Sequence, residues 1–272
     1  MRPVSFAIIP VVAVVLLAPC EACGADSTAT DRILASASGS TLTGTNGGAG
    51  ESIGWLHNFD PDSLVALGAE HQSLSVAHWS FGSLAGAVTR GDANARYTLS
   101  ADAHEGAGDN GPRAFHYSIA GAGIAGTYFQ RLTIQVEDRR VDVDTTHGNL
   151  PKAGLSYLWS PHWQTSISYA NSVSGNLGTR LTSARVDKYG TAVNVFGGAS
   201  FGKASPDLLN LEGQIIAPGH TLREGYIGVS RSFGQARHDV TLIADYLDLS
   251  GSKKATLTLN YVFHIQTVGG GH

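Results

Sequence analysis

The chain is poor in sulfur, in charge and in long apolar runs. Its two cysteines, Cys20 and Cys23, both fall near the start, so the chain beyond them offers no disulfide framework and no thiolate metal site. Charged residues make up 15% of the 272 residues, against about 25% in an average soluble domain. The formal net charge is −4 and no basic stripe is visible, which argues against a nucleic-acid partner. After the first residues no apolar run reaches the length of about 20 that a membrane helix needs. No helical period of useful length is found there either. Glycine, by contrast, is plentiful at 34 residues, well above an average usage of about 7%.

The start reads as an export signal. Arg2 supplies a short positive region, and Phe6 to Leu17 an apolar stretch too short to span a bilayer. Cys23-Gly24-Ala25 is a plausible cleavage site before Asp26, while Pro19 before Cys20 fits a lipidation motif poorly. Residues 1–25 are therefore expected to be a signal peptide.

Alternation with period two dominates the rest. Tyr97, Leu99, Ala101 and Ala103 alternate with Arg96, Thr98, Ser100 and Asp102. Leu132, Ile134 and Val136 alternate with Thr133, Gln135 and Glu137, and Leu257, Leu259, Tyr261 and Phe263 with Thr258, Asn260 and Val262. Glycine-, asparagine- and proline-rich turn signals separate these runs, among them "RGDAN", "THGNLP" and "SGNLG". The pattern predicts an all-β chain of about 12 to 16 strands.

A soluble sandwich and a membrane barrel both alternate, but they use the two faces differently. A sandwich buries its apolar face and charges the other. A barrel turns the apolar face to lipid and a polar face to its lumen. Here the runs approach the 9 to 11 residues, approximately, of a tilted spanning strand. Their polar faces use Ser, Thr, Asn, Gln and Gly more than Lys or Glu, and their apolar faces tend to end in aromatics. In "AGLSYLWSPHWQTSISYA" (153–170), Trp159 and Trp163 flank Ser-Pro-His. A three-residue turn sets them opposite each other on the lipid face, where amphipathic rings favour the membrane boundary. Tyr157, Tyr169, Tyr261 and Phe263 are further interface aromatics. The expected architecture is an antiparallel up-and-down transmembrane β-barrel over residues 26–265, with a short C-terminal tail at 266–272, in the outer membrane of a Gram-negative bacterium. Such a protein meets outer-membrane lipid and lipopolysaccharide and is inserted by the barrel-assembly machinery.

"LTLNYVF", ending at Phe263, resembles the C-terminal signature of outer-membrane barrels, although "HIQTVGGGH" follows it. The stretches "LVALGAEHQSLSVAHWSFGSLAGAV" and "REGYIGVSRSFGQARHDVTLIADYL", with the closing strand, resemble the YaiO-like family of outer-membrane barrels. The resemblance covers roughly a third of the chain, and its aromatic-glycine alternation is shared by many barrels. It implies a surface barrel connected with envelope polysaccharide or its export proteins.

Candidate lumen residues come from the charges. Arg140, Asp142 and Asp144 share one strand face, as do Arg185 and Asp187, and Arg231, Asp239 and Asp245 lie on other strands. Such side chains at a constriction select ions or sugars. A filled structural or receptor barrel suits mixed charge as well, with long outer loops such as Glu105–Pro112. A barrel enzyme would need a Ser–His–acid set. His116 with Ser118, and His71 with Ser73, share faces, and His238 precedes Asp239. These spacings are common in a serine-rich chain and no family motif surrounds them. The reading is thus a non-enzymatic channel or export component, with no cofactor and no metal.

Overall fold

Alternation gives every strand one apolar face and one polar face. Closing the sheet on itself turns the first to lipid and the second to the lumen. In the computed structural model, residues 29–42, 48–73, 78–109, 114–143, 146–204, 220–234, 237–249 and 252–266 are described. The expected signal peptide, the tail beyond Gln266 and Asp144 lie outside them.

The strands are β1 (Ala29–Leu42), β2 (Gly48–Asp60), β3 (Ser63–Ser73), β4 (His78–Gly91), β5 (Ala95–Asp109), β6 (Ala114–Tyr128), β7 (Leu132–Val143), β8 (Thr146–Asn149), β9 (Lys152–Ser160), β10 (Trp163–Asn171), β11 (Arg180–Lys188), β12 (Asn194–Ala204), β13 (His220–Phe233), β14 (His238–Leu249) and β15 (Ser252–Gln266). Each pairs antiparallel with its neighbour in the wall. β1 pairs with β15 and closes the ring. β8 and β9 both pair with β7, one beyond the other. They form one broken wall strand, interrupted at Leu150-Pro151, where proline has no N–H to offer the ladder. The described strands therefore make a closed antiparallel barrel of 14 wall strands, inside the range expected. "THGNLP", read as a turn, is mostly strand, and Glu105 to Asp109, read as loop, is the end of β5.

The start of β1, the end of β15 and the tight turns share one end. Pro61-Asp62, residues 92–94 and 129–131, and Pro161-His162 are connections there. This is the periplasmic end, since such barrels keep their short turns on that side. Residues 172–179 link β10 to β11 at the other, outer end.

The apolar faces point outward. Leu99 is 60% exposed and its cross-strand partner Ile124 49%, and Ile53, Leu67, Leu84, Val136, Ile167, Ile227 and Leu259 share that face of the wall. Aromatics collect at the periplasmic edge of this band. Trp55 donates its indole N–H to Asp31 at 2.9 Å and stacks on His57, which meets Phe59 edge to face. Tyr157 and Trp159 meet edge to face, and His238 lies between Tyr261 and Phe263. Tyr169 sits toward the outer end, where Arg180 donates to its hydroxyl at 2.8 Å. The two tryptophans of the opening hairpin both face out, but not opposite each other. Trp163 pairs with Ser160, and the register then shifts so that Gln164 pairs with Leu158. The turn is two residues long, and a β-bulge at Trp159 keeps its ring on the lipid side.

Two expectations follow. Leu99→Arg puts a charge against lipid and should destabilise the inserted barrel by up to about 2–4 kcal/mol, read as a lower urea midpoint in liposomes. Ser100→Arg, one residue on and facing inward, should escape that penalty. In the β6–β7 turn, Phe129 and Gln130 are consecutive non-glycine residues in the left-handed region, with φ of 52° and 57°. Gln130→Gly should therefore stabilise the barrel by about 1 kcal/mol, read as a higher urea midpoint, and an unchanged or lower midpoint would show that the turn stores no such strain.

Candidate functional site

The interior of the wall is where the polar faces converge. Ser36 and Ser52 hydrogen-bond at 2.7 Å, Thr89 and Thr98 at 2.9 Å, and Ser183 and Ser200 at 3.0 Å, each across a strand pair. Short hydroxyls here leave room and keep the lining wettable. Charges interrupt the lining at a few places.

The densest group lies on β5, β7 and β9. Arg139 donates through Nε to Glu137 and through Nη2 to Asp102 at 3.4 Å. Lys152 reaches the other oxygen of Glu137 at 3.7 Å. Asp102 also meets His104 Nε2 at 2.9 Å. Two cations thus answer two carboxylates, with a histidine at the edge. The arrangement follows from register, because Glu137 pairs directly with Lys152 and Asp102 with Gly121, which pairs with Arg139. Glycine at 121 leaves the space that the Arg139 side chain crosses. The side chain of Arg139 is still 21% exposed and that of Lys152 31%, so water reaches these groups from within the barrel.

A second group lies on β11 and β12. Arg185 holds Asp187 through two nitrogens, with contacts of 2.6 to 3.0 Å, and its guanidinium stacks 4.4 Å from the Phe196 ring centre. Near the periplasmic end Asp239 meets His264 at 2.7 Å. Asp245 lies beside Glu224 and Lys254 on the outer half of β13 to β15.

Of the candidates taken from the sequence, Arg185, Asp187, Asp239 and Asp245 lie on the inward parity of their strands. Arg140 and Asp142 do not. They pair with each other at 2.9 Å on the outer surface, about half exposed. The alternation that places Ile134 and Val136 outside runs unbroken through β7, so the even-numbered residues stay outside to its end. The change from apolar to charged on that face marks where β7 rises out of the lipid band, and no switch to the lumen takes place. Arg231 is outward for the same reason: it follows Ile227 and Val229 on β13 and stacks 4.9 Å from the Phe233 ring. Arg223 shares that outer face. In the same run of charges it is the odd-numbered neighbours, Glu137 and Arg139, that face inward. Their parity with Thr133 and Gln135 was visible in the sequence.

A different surface lies inside the outer end. Trp79 and Phe81 on β4, Tyr117 and Ile119 on β6, and Val141 and Val143 on β7 form a buried apolar cluster with Leu177 from the β10–β11 connection. Phe81 and Tyr117 rings meet at 5.7 Å, and Phe81 and His104 at 6.3 Å. Gly106 and Gly108 on β5 lie directly against Phe81 and Trp79, where any Cβ would collide. This inward aromatic group was not foreseen, since "HWSF" alternates like any lipid-facing strand.

The histidines considered for catalysis lie elsewhere. His238 bonds the Tyr261 hydroxyl at 2.7 Å and His116 meets Glu105 at 3.2 Å. His71 bonds Ser80, and His78 bonds Ser73, across strands on the outer surface.

No protein-family model and no curated protein matches the chain. Solved structures do. The CymD monoaromatic hydrocarbon channel superposes with a TM-score of 0.56 at 11% identity, over 88% of this chain and 89% of its own. The toluene transporter TodX of Pseudomonas putida superposes with a TM-score of 0.54 at 9% identity, over 98% and 96%. The fold is that of an outer-membrane β-barrel. With its outward apolar band and aromatic edge, the barrel belongs in the outer membrane of a Gram-negative bacterium.

Arg139→Ala leaves Glu137 and Asp102 without their shared cation. It should lower stability by about 1–3 kcal/mol, whereas Arg140→Ala on the outer surface should change it by under about 0.5 kcal/mol. Urea midpoints of the two variants, measured side by side, check which residue belongs to the interior network.

Proposed function

We propose that the protein is a channel that lets small solutes cross the outer membrane through the barrel interior. The observation that carries this reading is a set of inward ion pairs, Arg139 with Glu137 and Asp102 and Arg185 with Asp187, whose arginine side chains keep 21% and 32% of their surface accessible. A barrel sealed at their level would bury both. Barrel size agrees. About eight strands close on their own side chains, and about sixteen leave an aqueous channel; 14 wall strands fall toward the wide side. The hydrocarbon cargo named for the two superposed barrels is theirs, and at these identities it says nothing of the cargo here.

A filled barrel acting as a receptor or scaffold is the second reading. It draws on the apolar cluster beneath the outer rim, which obstructs part of the interior. The link to envelope polysaccharide, and membership of the YaiO-like family, rest on the sequence resemblance alone. A non-enzymatic role is part of the proposal.

Single-channel recording in a planar bilayer separates the readings. Stable conductance steps are expected. Arg139→Ala with Lys152→Ala removes two interior cations and should shift ion preference toward cations, while Arg140→Ala should leave it unchanged. A folded, inserted barrel that never conducts would overturn the channel reading in favour of the filled barrel.

A further inference from the structure

We propose that the apolar cluster beneath the outer rim is a binding subsite for a small neutral aromatic solute bearing a hydrogen-bond acceptor, and that Leu177 occupies it while the barrel is empty. The proposal rests on the channel reading, since it makes the subsite the first station on the path inward.

The cluster is on the wrong face for a lipid contact. Strand alternation puts Trp79, Phe81, Tyr117 and Ile119 inside, on a wall lined elsewhere by serine, threonine, glycine and paired charges, with a smaller aliphatic patch of Leu34, Leu56 and Ala66 in its periplasmic half. Rings gathered with a few polar groups are the composition of a small-molecule site. Two of those polar groups lack a partner. Trp79 Nε1 and His104 Nδ1 are both buried without a hydrogen bond, though Trp79 is only 3% exposed and His104 only 2%. Indole N–H is a donor only, so its missing partner must be an acceptor. A buried polar group left unpaired is costly, and an acceptor oxygen on a ring-bearing solute would satisfy it.

A neutral solute suits the site. A carboxylate would find no cation to spare, since Arg139 and Lys152 already answer Glu137 and Asp102, and Glu70, cross-strand from Phe81, is already bonded to Gln72 at 2.7 Å.

Leu177 is the sole large apolar residue to be buried in a connection that is otherwise polar or exposed among residues 172–178. It is 1% exposed, while Val173 on the same connection is 67% exposed. Gly175 and Gly178, with φ of 71° and 64°, flank it and let the chain dip inward. Gly148 on β8 makes room, since a Cβ there would strike Leu177 and the Ser174 carbonyl. The segment is held from the wall side by Asn176 to the His147 N–H at 2.8 Å and by Ser174 to the Asn149 N–H at 3.0 Å. A branched aliphatic side chain fills the place among the rings but offers Trp79 no acceptor. It is a stand-in that a better-matched solute displaces.

The test is binding of p-cresol and of toluene to the purified full barrel by isothermal titration calorimetry, with single-channel recording on the same preparations. Leu177→Ala removes the competitor and should tighten both ligands about tenfold. Leu177→Phe keeps the place filled and should weaken both. Trp79→Phe should weaken p-cresol about fivefold and leave toluene unchanged. If Leu177 is only a packing anchor, Leu177→Ala binds neither ligand more tightly than the wild type, and the proposal falls. Should Leu177→Ala not fold, the Trp79→Phe comparison decides: equal loss of both ligands, or of neither, overturns it. A barrel that conducts ions yet binds no p-cresol removes the subsite and leaves the channel reading standing. One that binds with the expected variant pattern but never conducts keeps the subsite and removes the channel.

Discussion

Everything in this structure depends on one constraint: inside a bilayer each backbone N–H and C=O needs a partner from the protein itself. A sheet meets that demand only if it has no free edge. The pairing of β1 with β15, from Asp31 opposite Ile265 to Leu42 opposite Lys254, is what removes the edge. Once the ring is closed, the two faces of the sheet become an outside and an inside, and every side chain is assigned to lipid or lumen by parity alone.

That assignment explains the contrast between the two surfaces. Outside, apolar side chains need no partners and pack against lipid, with rings at the edge where one end is apolar and the other wet. Inside, polar groups must find each other or water. Hydroxyl pairs such as Ser183 with Ser200 and ion groups such as Arg185 with Asp187 are the result. The aromatic cluster around Trp79 departs from this on the inner face, and two buried polar atoms there, Trp79 Nε1 and His104 Nδ1, have no hydrogen bond. A place that departs from the pattern of its own wall is where a function is most readily sought. On the proposed channel reading, the charged groups lower in the lumen and the rings above them give a solute two successive environments, first apolar and then polar.

Much of the architecture is legible from period two. Alternation identifies the strands, glycine and proline mark the turns, and aromatic-ended runs identify the membrane edge. Trp159 and Trp163 were read correctly as outward. Their register was not, because a bulge costs one residue and leaves no trace in the alternation on either side of it. The interior charges were half legible. Asp187 and Asp239 could be placed because their strands alternate cleanly around them. Arg140 and Asp142 were misplaced because charge was taken as a sign of the lumen, when a strand that outlasts the bilayer also becomes charged on its outer face.

The sequence by itself determined that this is an all-β membrane barrel, because the side-chain period and the scarcity of charge are properties of each strand taken alone. It also determined which residues share a face. The tertiary structure decided which strands are neighbours, how 14 of them close, and which charges meet. Arg139 and Asp102 lie far apart in the chain and come together only through the pairing of three strands in fixed register. The burial of Leu177 among rings from β4 and β6 was likewise decided in three dimensions. A lone leucine in a polar connection has no periodicity to reveal its direction, and only the closed wall gives it an interior to enter.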